Sequence, residues 1–476
     1  MSGTKGGLKG AVIGNPISHS LSPVLHLILA ERLGMRDFTY SAVEVLPRDL
    51  RTYLDELRCC PEFVGINVTV PHKEAILAEL DEVIVQARAI GAVNLVHLKD
   101  GKLIGHNTDY IGFLRVLDDR KIKLHDCNVV VWGAGGAAKA VLHALGWRHV
   151  ASVAVLNRDQ ARSKALISAF TPLFPKTRFY GVVPAVLTRV GLVVNTTPVG
   201  MRGYAMEGDI NATSEFFSGL ARISPEPDAL AFDLIYNPER TPFLSLASHL
   251  GFRCVAGLDM LVHQAIESWK IWTNSTSESL GEILPSIMPE LRRALAPPIF
   301  LCGPMGAGKS TVGSILAQRL GWDFVDTDCL VEAESGLSVS EIFEQQGEQA
   351  FRVLEKKAVL NSAARTRTVV ALGGGALMTD GTLAAVERSG ILVYLEAKTS
   401  ALVRRLQVSE NELKVRPLLS PAKSDGQISV DSRLENLVKA RQAIYLRASH
   451  RVQTDNLEPN AVAAVIIRLT EEGEFS

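Results

Sequence analysis

The nine residues GPMGAGKST, Gly303 to Thr311, satisfy GxxxxGK[ST] in full. An apolar run, PPIFLC, precedes them and an amphipathic one, STVGSILAQRL, follows, the strand-then-helix setting in which such a loop closes on phosphate. Amides of Gly306, Ala307 and Gly308 and the start of the helix at Thr311 face the phosphate oxygens. Lys309 brings charge to the terminal phosphates and the Ser310 hydroxyl an oxygen for Mg²⁺, so ATP is the expected nucleotide. A second glycine loop, WGAGGAA at Trp132 to Ala138, follows the strand-like CNVVV with the pattern GxGxxA of a dinucleotide site. The next apolar strand ends in Asn157-Arg158, with Arg162 one turn on, where an NAD site would carry an acid; positive charge there suits the 2′-phosphate of NADP.

Two more sets of polar residues could act on what the nucleotides deliver. In the first third, GNPISHSLSP carries Ser18 and Ser20, INVTVPHK carries Asn67, Thr69 and Lys73, GAVN ends in Asn94 and HNTD in Asp109. A lysine paired with an aspartate can hold charge and supply a proton as a ketone is reduced. In the last third, DFVDTD places Asp326 and Asp328 two apart, predicted to project on one side at a strand end. Arg352, Arg416 and Arg441, with the glycines at 373–375, suit a carboxylate-bearing acceptor of a phosphoryl group. His19 has no GxSxG elbow, and no HExxH or paired Cys/His spacing signals zinc.

The elements needed to position these groups are legible as alternating strand-like and helix-period runs: GAVIG then SPVLHLILAERLG, FVGINVTV then KEAILAELDEV. AVNLVHLKDGKLIGHNTD is predicted to be a hairpin turning at Asp100-Gly101. The alternation restarts near Thr108, so the front part divides into two α/β lobes with a cleft between them. The chain has 476 residues, 47% of them hydrophobic, enough for several cores, and a net charge of -1, which gives no general affinity for nucleic acid or anionic membrane. Six cysteines without a CxxC pair, and no apolar run of signal-peptide type, make a soluble cytoplasmic protein the expectation.

Residues 8 to about 285 resemble shikimate dehydrogenase on GNPISHSLSP, INVTVPHK, GAVN, HNTDYIGF, GAGGAA, NTTPVGM, DLIYNPERTPFL and GLDMLVHQA. The resemblance implies that Lys73 and Asp109 are the catalytic pair and that Ser18, Ser20, Asn67, Thr69, Asn94, Tyr236 and Gln264 bind the substrate. It further implies that Gly133, Ala134, Gly135, Gly136, Ala137, Asn157, Arg158, Arg162 and Thr196 line an NADP site. The chain departs from the family at Leu27, where Asn is usual, and at Leu95, where Thr is.

Residues 298 to 476 look like a shikimate kinase on GPMGAGKST, FVDTD, GEQAFRVLE, GGG and VRPLL, in that order. By that likeness Asp328, Arg352 and Arg441 hold shikimate beside Gly374 and Gly375, and Asp326 with Ser310 places Mg²⁺. Arg405 lies on the adenine-phosphate side, Arg416 rides on a lid of roughly Gln407 to Gln427, and Lys309, Asp328 and Arg416 take part in catalysis.

The implied fold is α/β throughout: a substrate lobe over 1–108, a Rossmann-like NADP lobe over 109–256, helices of about 257–285 packing back on the first lobe, a linker at 286–297 and a P-loop kinase domain with a parallel sheet over 298–476. The implied function is a bifunctional one: NADPH-dependent reduction of 3-dehydroshikimate, then phosphorylation of shikimate by Mg-ATP. An NAD-using quinate/shikimate dehydrogenase is disfavoured by Arg158 and by the linked kinase. A shikimate-sensing regulator without catalysis is disfavoured by the full set of acting residues. Small molecules are the expected partners, with oligomeric state open.

Overall fold

The computed structural model describes residues 7–17, 20–181, 189–201, 216–274, 283–408 and 430–472, so the expectations on Ser18 and Arg416 lie outside the described residues. The chain forms two compact units, Met1–Ala294 and Leu295–Ser476.

The first unit holds two sheets. One is built from β1 (Lys9–Gly14), β2 (Thr39–Glu44), β3 (Phe63–Val68), β4 (Glu82–Val83), β5 (Leu95–Lys99) and β6 (Lys102–His106), in the order β2-β1-β3-β5-β6-β4. It is mixed: β1 pairs in parallel with β2 and β3, while β5 runs antiparallel to both β3 and β6. The β5–β6 hairpin turns at Asp100 and Gly101, both at positive φ (52° and 74°), as a two-residue connection matched to strand twist requires. Its open end is anchored on either side of the cleft residues: Asn94 precedes β5 and Asp109 opens the helix Asp109–Asp119 after β6.

The other sheet consists of β7 (Asn128–Trp132), β8 (Ser152–Leu156), β9 (Arg178–Tyr180), β10 (Val190–Asn195), β11 (Pro225–Asp233) and β12 (Arg253–Val255). All its strands are parallel, in the order β12-β11-β10-β7-β8-β9. Helices cover both faces, so its strands read as unbroken apolar runs; Val129, Val130 and Val131 are all fully buried, alternating between two separate cores. The strand order reverses between β7 and β10, the switch point at which open sheets of this kind bind ligands. The helix Leu258–Thr273 packs on Asp109–Asp119 and on the helix Ser22–Arg32, tying the two sheets together.

Most of the expected linker 286–297 is helical. Leu284–Ala294 forms a helix of the first unit because Ile287, Met288 and Leu291 fall on one face and are buried, and Glu290 pairs with Arg32.

The second unit has one parallel sheet of β13 (Ile299–Cys302), β14 (Asp323–Asp326), β15 (Thr368–Ala371), β16 (Ile391–Glu396) and β17 (His450–Gln453), ordered β14-β15-β13-β16-β17. The central strand β13 is wholly buried and delivers the chain into the loop 303–308 at the N-terminus of the helix Lys309–Leu320. Among the described residues no helix is long and apolar enough to cross a membrane.

Candidate active sites

In the first unit, Lys73 sits in a single turn of helix, His72–Ala75, just beyond β3, and Asp109 is the first residue of its helix. Their side chains meet: Lys73 Nζ donates to Asp109 Oδ2 at 2.6 Å, with side-chain exposures of 16% and 4%. An ion pair so far from water is held in place by its neighbours. Asn94 Nδ2 donates to Asp109 Oδ1 at 2.8 Å and to Gln264 Oε1 at 3.0 Å, while Asn94 Oδ1 accepts from the Thr108 amide at 2.6 Å. The Lys73 carbonyl accepts from Val93 N at 2.7 Å, which fixes the turn against the strand entering β5. Lys73, Asn94, Asp109 and Gln264 therefore form one network drawn from four segments. His72, next to the lysine, turns the other way, its Nε2 lying 2.7 Å from the Val45 carbonyl.

Asn67 joins this network through Ser268, whose hydroxyl also donates to the Gln264 carbonyl. Thr69 lies just past the end of β3, packed close to Gly14. Tyr236 follows β11 and its Oη accepts from the Leu21 amide at 3.4 Å, next to Ser20. Burial pushes the Tyr236 phenol up, against the hydrogen bonds from Leu21 and Ser20 that pull it down.

The dinucleotide-type loop runs from β7 to the helix Gly136–Trp147, whose N-terminus has no side-chain cap and so keeps its amides for a ligand. Gly133 has φ 114°, and a Cβ there would sit 2.2 Å from Thr196 Oγ1. Thr196 is pinned by its own amide and hydroxyl, both donating to the Trp132 carbonyl at 2.8 and 2.6 Å. A Cβ at Gly135 would meet nothing within 4 Å, open space of the kind a phosphate fills. A Cβ at Gly136 would come within 3.1 Å of the Lys73 Cβ, so the loop lies directly against the lysine turn. Asn157 and Arg158 leave β8 at the same edge; Arg158 is exposed with its guanidinium 5.7 Å from the Phe216 ring centroid, and Arg162 faces Asp159 at 3.6 Å. The residues present fit a dinucleotide with an extra phosphate: uncapped amides, an open glycine and exposed arginines.

In the second unit the expected residues within the described range all line one cavity of about 900 Å³. Lys309 Nζ donates to the carbonyls of Gly303 and Pro304 at 2.9 and 3.1 Å, folded back along its loop. Ser310 Oγ donates to Asp326 Oδ2 at 2.6 Å. One hydroxyl and one carboxylate are hard oxygen donors in the small number that Mg²⁺ takes from protein, the rest of its octahedron being water and phosphate. Asp328 does not share a strand with Asp326. β14 stops at Asp326, which caps the helix Thr327–Ser335 by accepting from the Asp328 amide at 3.0 Å, so the two carboxylates are placed by a cap rather than by strand alternation.

Arg352, on the helix Gly347–Ala363, contacts Glu348 at 2.9 Å and Glu355 at 2.6 Å. Arg441 and the Tyr445 hydroxyl both donate to the Gly374 carbonyl, at 2.8 and 2.7 Å. A Cβ at Gly375 would stand 2.5 Å from Arg352 Nη1, so a side chain there would push the guanidinium out of its present place. Arg405 donates to Thr454 and Gly306 at the far side of the phosphate loop.

Sequence reasoning missed several members. Glu355 is 1% exposed, burial pushing its carboxyl up and Arg352 pulling it down; its spacing of three from Arg352 on a helix was the available signal. Thr327, fully buried, accepts from the Gly373 amide at 2.8 Å. Thr108, within HNTD, and Ser268 and Tyr40, which belong to no motif, complete the first site.

A two-lobed α/β unit with a lysine–aspartate pair against a dinucleotide loop, followed by a P-loop unit with arginines around its cavity, defines a nucleotide-dependent oxidoreductase joined to a phosphotransferase. Comparison with known proteins identifies both parts. Residues 12–96 match the shikimate dehydrogenase substrate binding domain, 116–197 the shikimate / quinate 5-dehydrogenase family and 257–276 the shikimate 5'-dehydrogenase C-terminal domain. Residues 305–471 match shikimate kinase. Shikimate dehydrogenase (NADP(+)) of Staphylococcus aureus strain MRSA252 is 36% identical over 285 residues, 60% of this chain and 99% of the relative. A crystal structure of shikimate dehydrogenase from Aquifex aeolicus superposes with a TM-score of 0.50 at 35% identity, covering 60% of this chain and 99% of that one. A chorismate mutase/shikimate 5-dehydrogenase fusion protein from Clostridium acetobutylicum superposes equally, TM-score 0.50 at 32% identity, covering 60% and 99%. The chain belongs to the shikimate dehydrogenase family and carries a shikimate kinase domain after it.

Proposed function

We propose that the first unit reduces 3-dehydroshikimate to shikimate and that the second phosphorylates the 3-hydroxyl of the shikimate so formed. The observation that carries the reading is the Lys73–Asp109 contact, nearly dry and lying against the dinucleotide loop. NADPH, when bound, supplies the hydride. As negative charge develops on the substrate oxygen, the Lys73 ammonium stabilises it and yields a proton from Nζ. Asp109 accepts from Nζ throughout, so the lysine is aimed before substrate arrives, and Asn94 holds the other oxygen of that carboxylate. Ser20, Asn67, Thr69, Tyr236 and Gln264, with Ser18, bind the polyhydroxy acid, and Arg158 with Arg162 favours the phosphorylated cofactor.

In the second cavity Ser310 and Asp326 would hold Mg²⁺, which would supply positive charge to neutralise the phosphates. Asp328 accepts the proton of the attacking hydroxyl. Arg352 and Arg441 bind the shikimate carboxylate, Glu355 keeping Arg352 in line from beneath. Lys309, here folded along its loop, reaches the terminal phosphates when they displace its carbonyl partners. Purified protein supplied with 3-dehydroshikimate, NADPH and Mg-ATP should consume NADPH and yield shikimate 3-phosphate, read by mass. Accumulation of shikimate without its phosphate would remove the second half of the reading, and no NADPH consumption the first.

A further inference from the structure

Asn67 is 8% exposed, and an asparagine amide can face either way; what decides is which neighbours can donate. The chain of partners favours one solution. The Ser268 hydroxyl donates to the backbone carbonyl of Gln264, which can only accept, at 2.9 Å. Ser268 Oγ can then only accept from Asn67, so Nδ2 faces it, at 3.2 Å. Oδ1 is thereby turned to Tyr40, whose hydroxyl donates to it at 2.7 Å. Tyr40 lies on β2, 6% exposed, its ring stacked on buried His26 with centroids 4.2 Å apart and planes 5° apart. Burial pushes its phenol well above the ordinary value, so it remains a donor across the working range.

We propose that Tyr40 is a positioning and specificity-determining residue of the dehydrogenase: with Ser268 it locks the Asn67 amide so that one remaining N–H, at a fixed place, is offered to an oxygen of the polyhydroxy acid. The ligand group at that point must accept a hydrogen bond. This rests on Asn67 binding substrate. Without Tyr40 the amide is free to rotate and loses part of its preference for hydroxyl-bearing ligands, although Asn67 itself is unchanged.

Tyr40→Phe keeps the stacked ring and deletes the donor. In steady-state assays of the full chain it should raise the KM for shikimate about tenfold, while the KM for NADP and kcat stay within about twofold. Ser268→Ala, which frees the other end of the amide, should act in the same direction, and it carries the test alone if the first variant does not fold. A shikimate KM within about twofold of the parent, or a parallel rise in the KM for NADP, overturns the proposal by showing packing alone at Tyr40. Absence of shikimate oxidation by the parent chain would instead sink the reading of the site, and the two failures are distinguishable.

Discussion

Arg158 stands where the strand β8 gives out, exposed and at the edge that the dinucleotide loop shares. Replacing it by aspartate puts repulsion in place of a charge-assisted contact with the 2′-phosphate. Arg158→Asp should raise the KM for NADPH at least about tenfold and that for NADH hardly at all; equal effects on both cofactors would refute the assignment. Asp233, at the end of β11, is a different sort of residue: fully buried, it accepts from Asn195, Ile235 and Thr241. Burial pushes its carboxyl up from 3.8 to about 7 despite those three donors. Between those values the folded chain retains a proton that the unfolded chain has released, so this group makes stability fall as pH rises, the loss being complete above about 7. Urea titrations of Asp233→Asn from about pH 4 to about pH 7 should show a flatter decline in the stability of the first unit than the parent shows. An unchanged slope would mean that the carboxyl titrates normally.

At the scale of elements, much was legible because much was local. CNVVVW is a parallel strand in a doubly covered sheet, and its unbroken apolar run says so; Asp100-Gly101 is a turn because two consecutive positive φ angles favour those residue types. The phosphate loop declared itself through eight contiguous residues. Tyr40 and Ser268 were silent because each becomes a site residue only through partners 27 and 201 positions from it along the chain. The reading of Asp326 and Asp328 as strand neighbours failed for a local reason: an aspartate able to cap a helix ended the strand two residues early. The helix Leu284–Ala294 lies where proline-rich sequence reads as a linker containing or following a last helix, and its apolar face is real. Leu291→Ala should lower the stability of the first unit by about 2 kcal/mol in urea unfolding, since a fully buried leucine is truncated; no loss would show that face to be dispensable.

At the scale of the whole molecule, the first unit has two sheets and the second has one, each unit has its own cores, and each proposed site draws its described residues from one unit. The two activities should therefore be separable by single substitutions. Lys73→Ala should abolish NADPH-dependent reduction and leave shikimate phosphorylation within about twofold, whereas Lys309→Ala should do the reverse. A folded variant of either kind that stopped both reactions would contradict the assignment of one chemistry to each unit.

The hairpin of β5 and β6 has a use beyond holding Asn94 and Asp109 at its base. Its ladder runs four residue steps from Leu95–His106 to Lys99–Lys102, roughly 14 Å, before the exposed turn. The tip is thus a natural port for a fluorophore or an affinity handle: close enough to the working cleft for energy transfer to report a bound nicotinamide, yet outside the hydrogen-bonded pairs that keep the base in register.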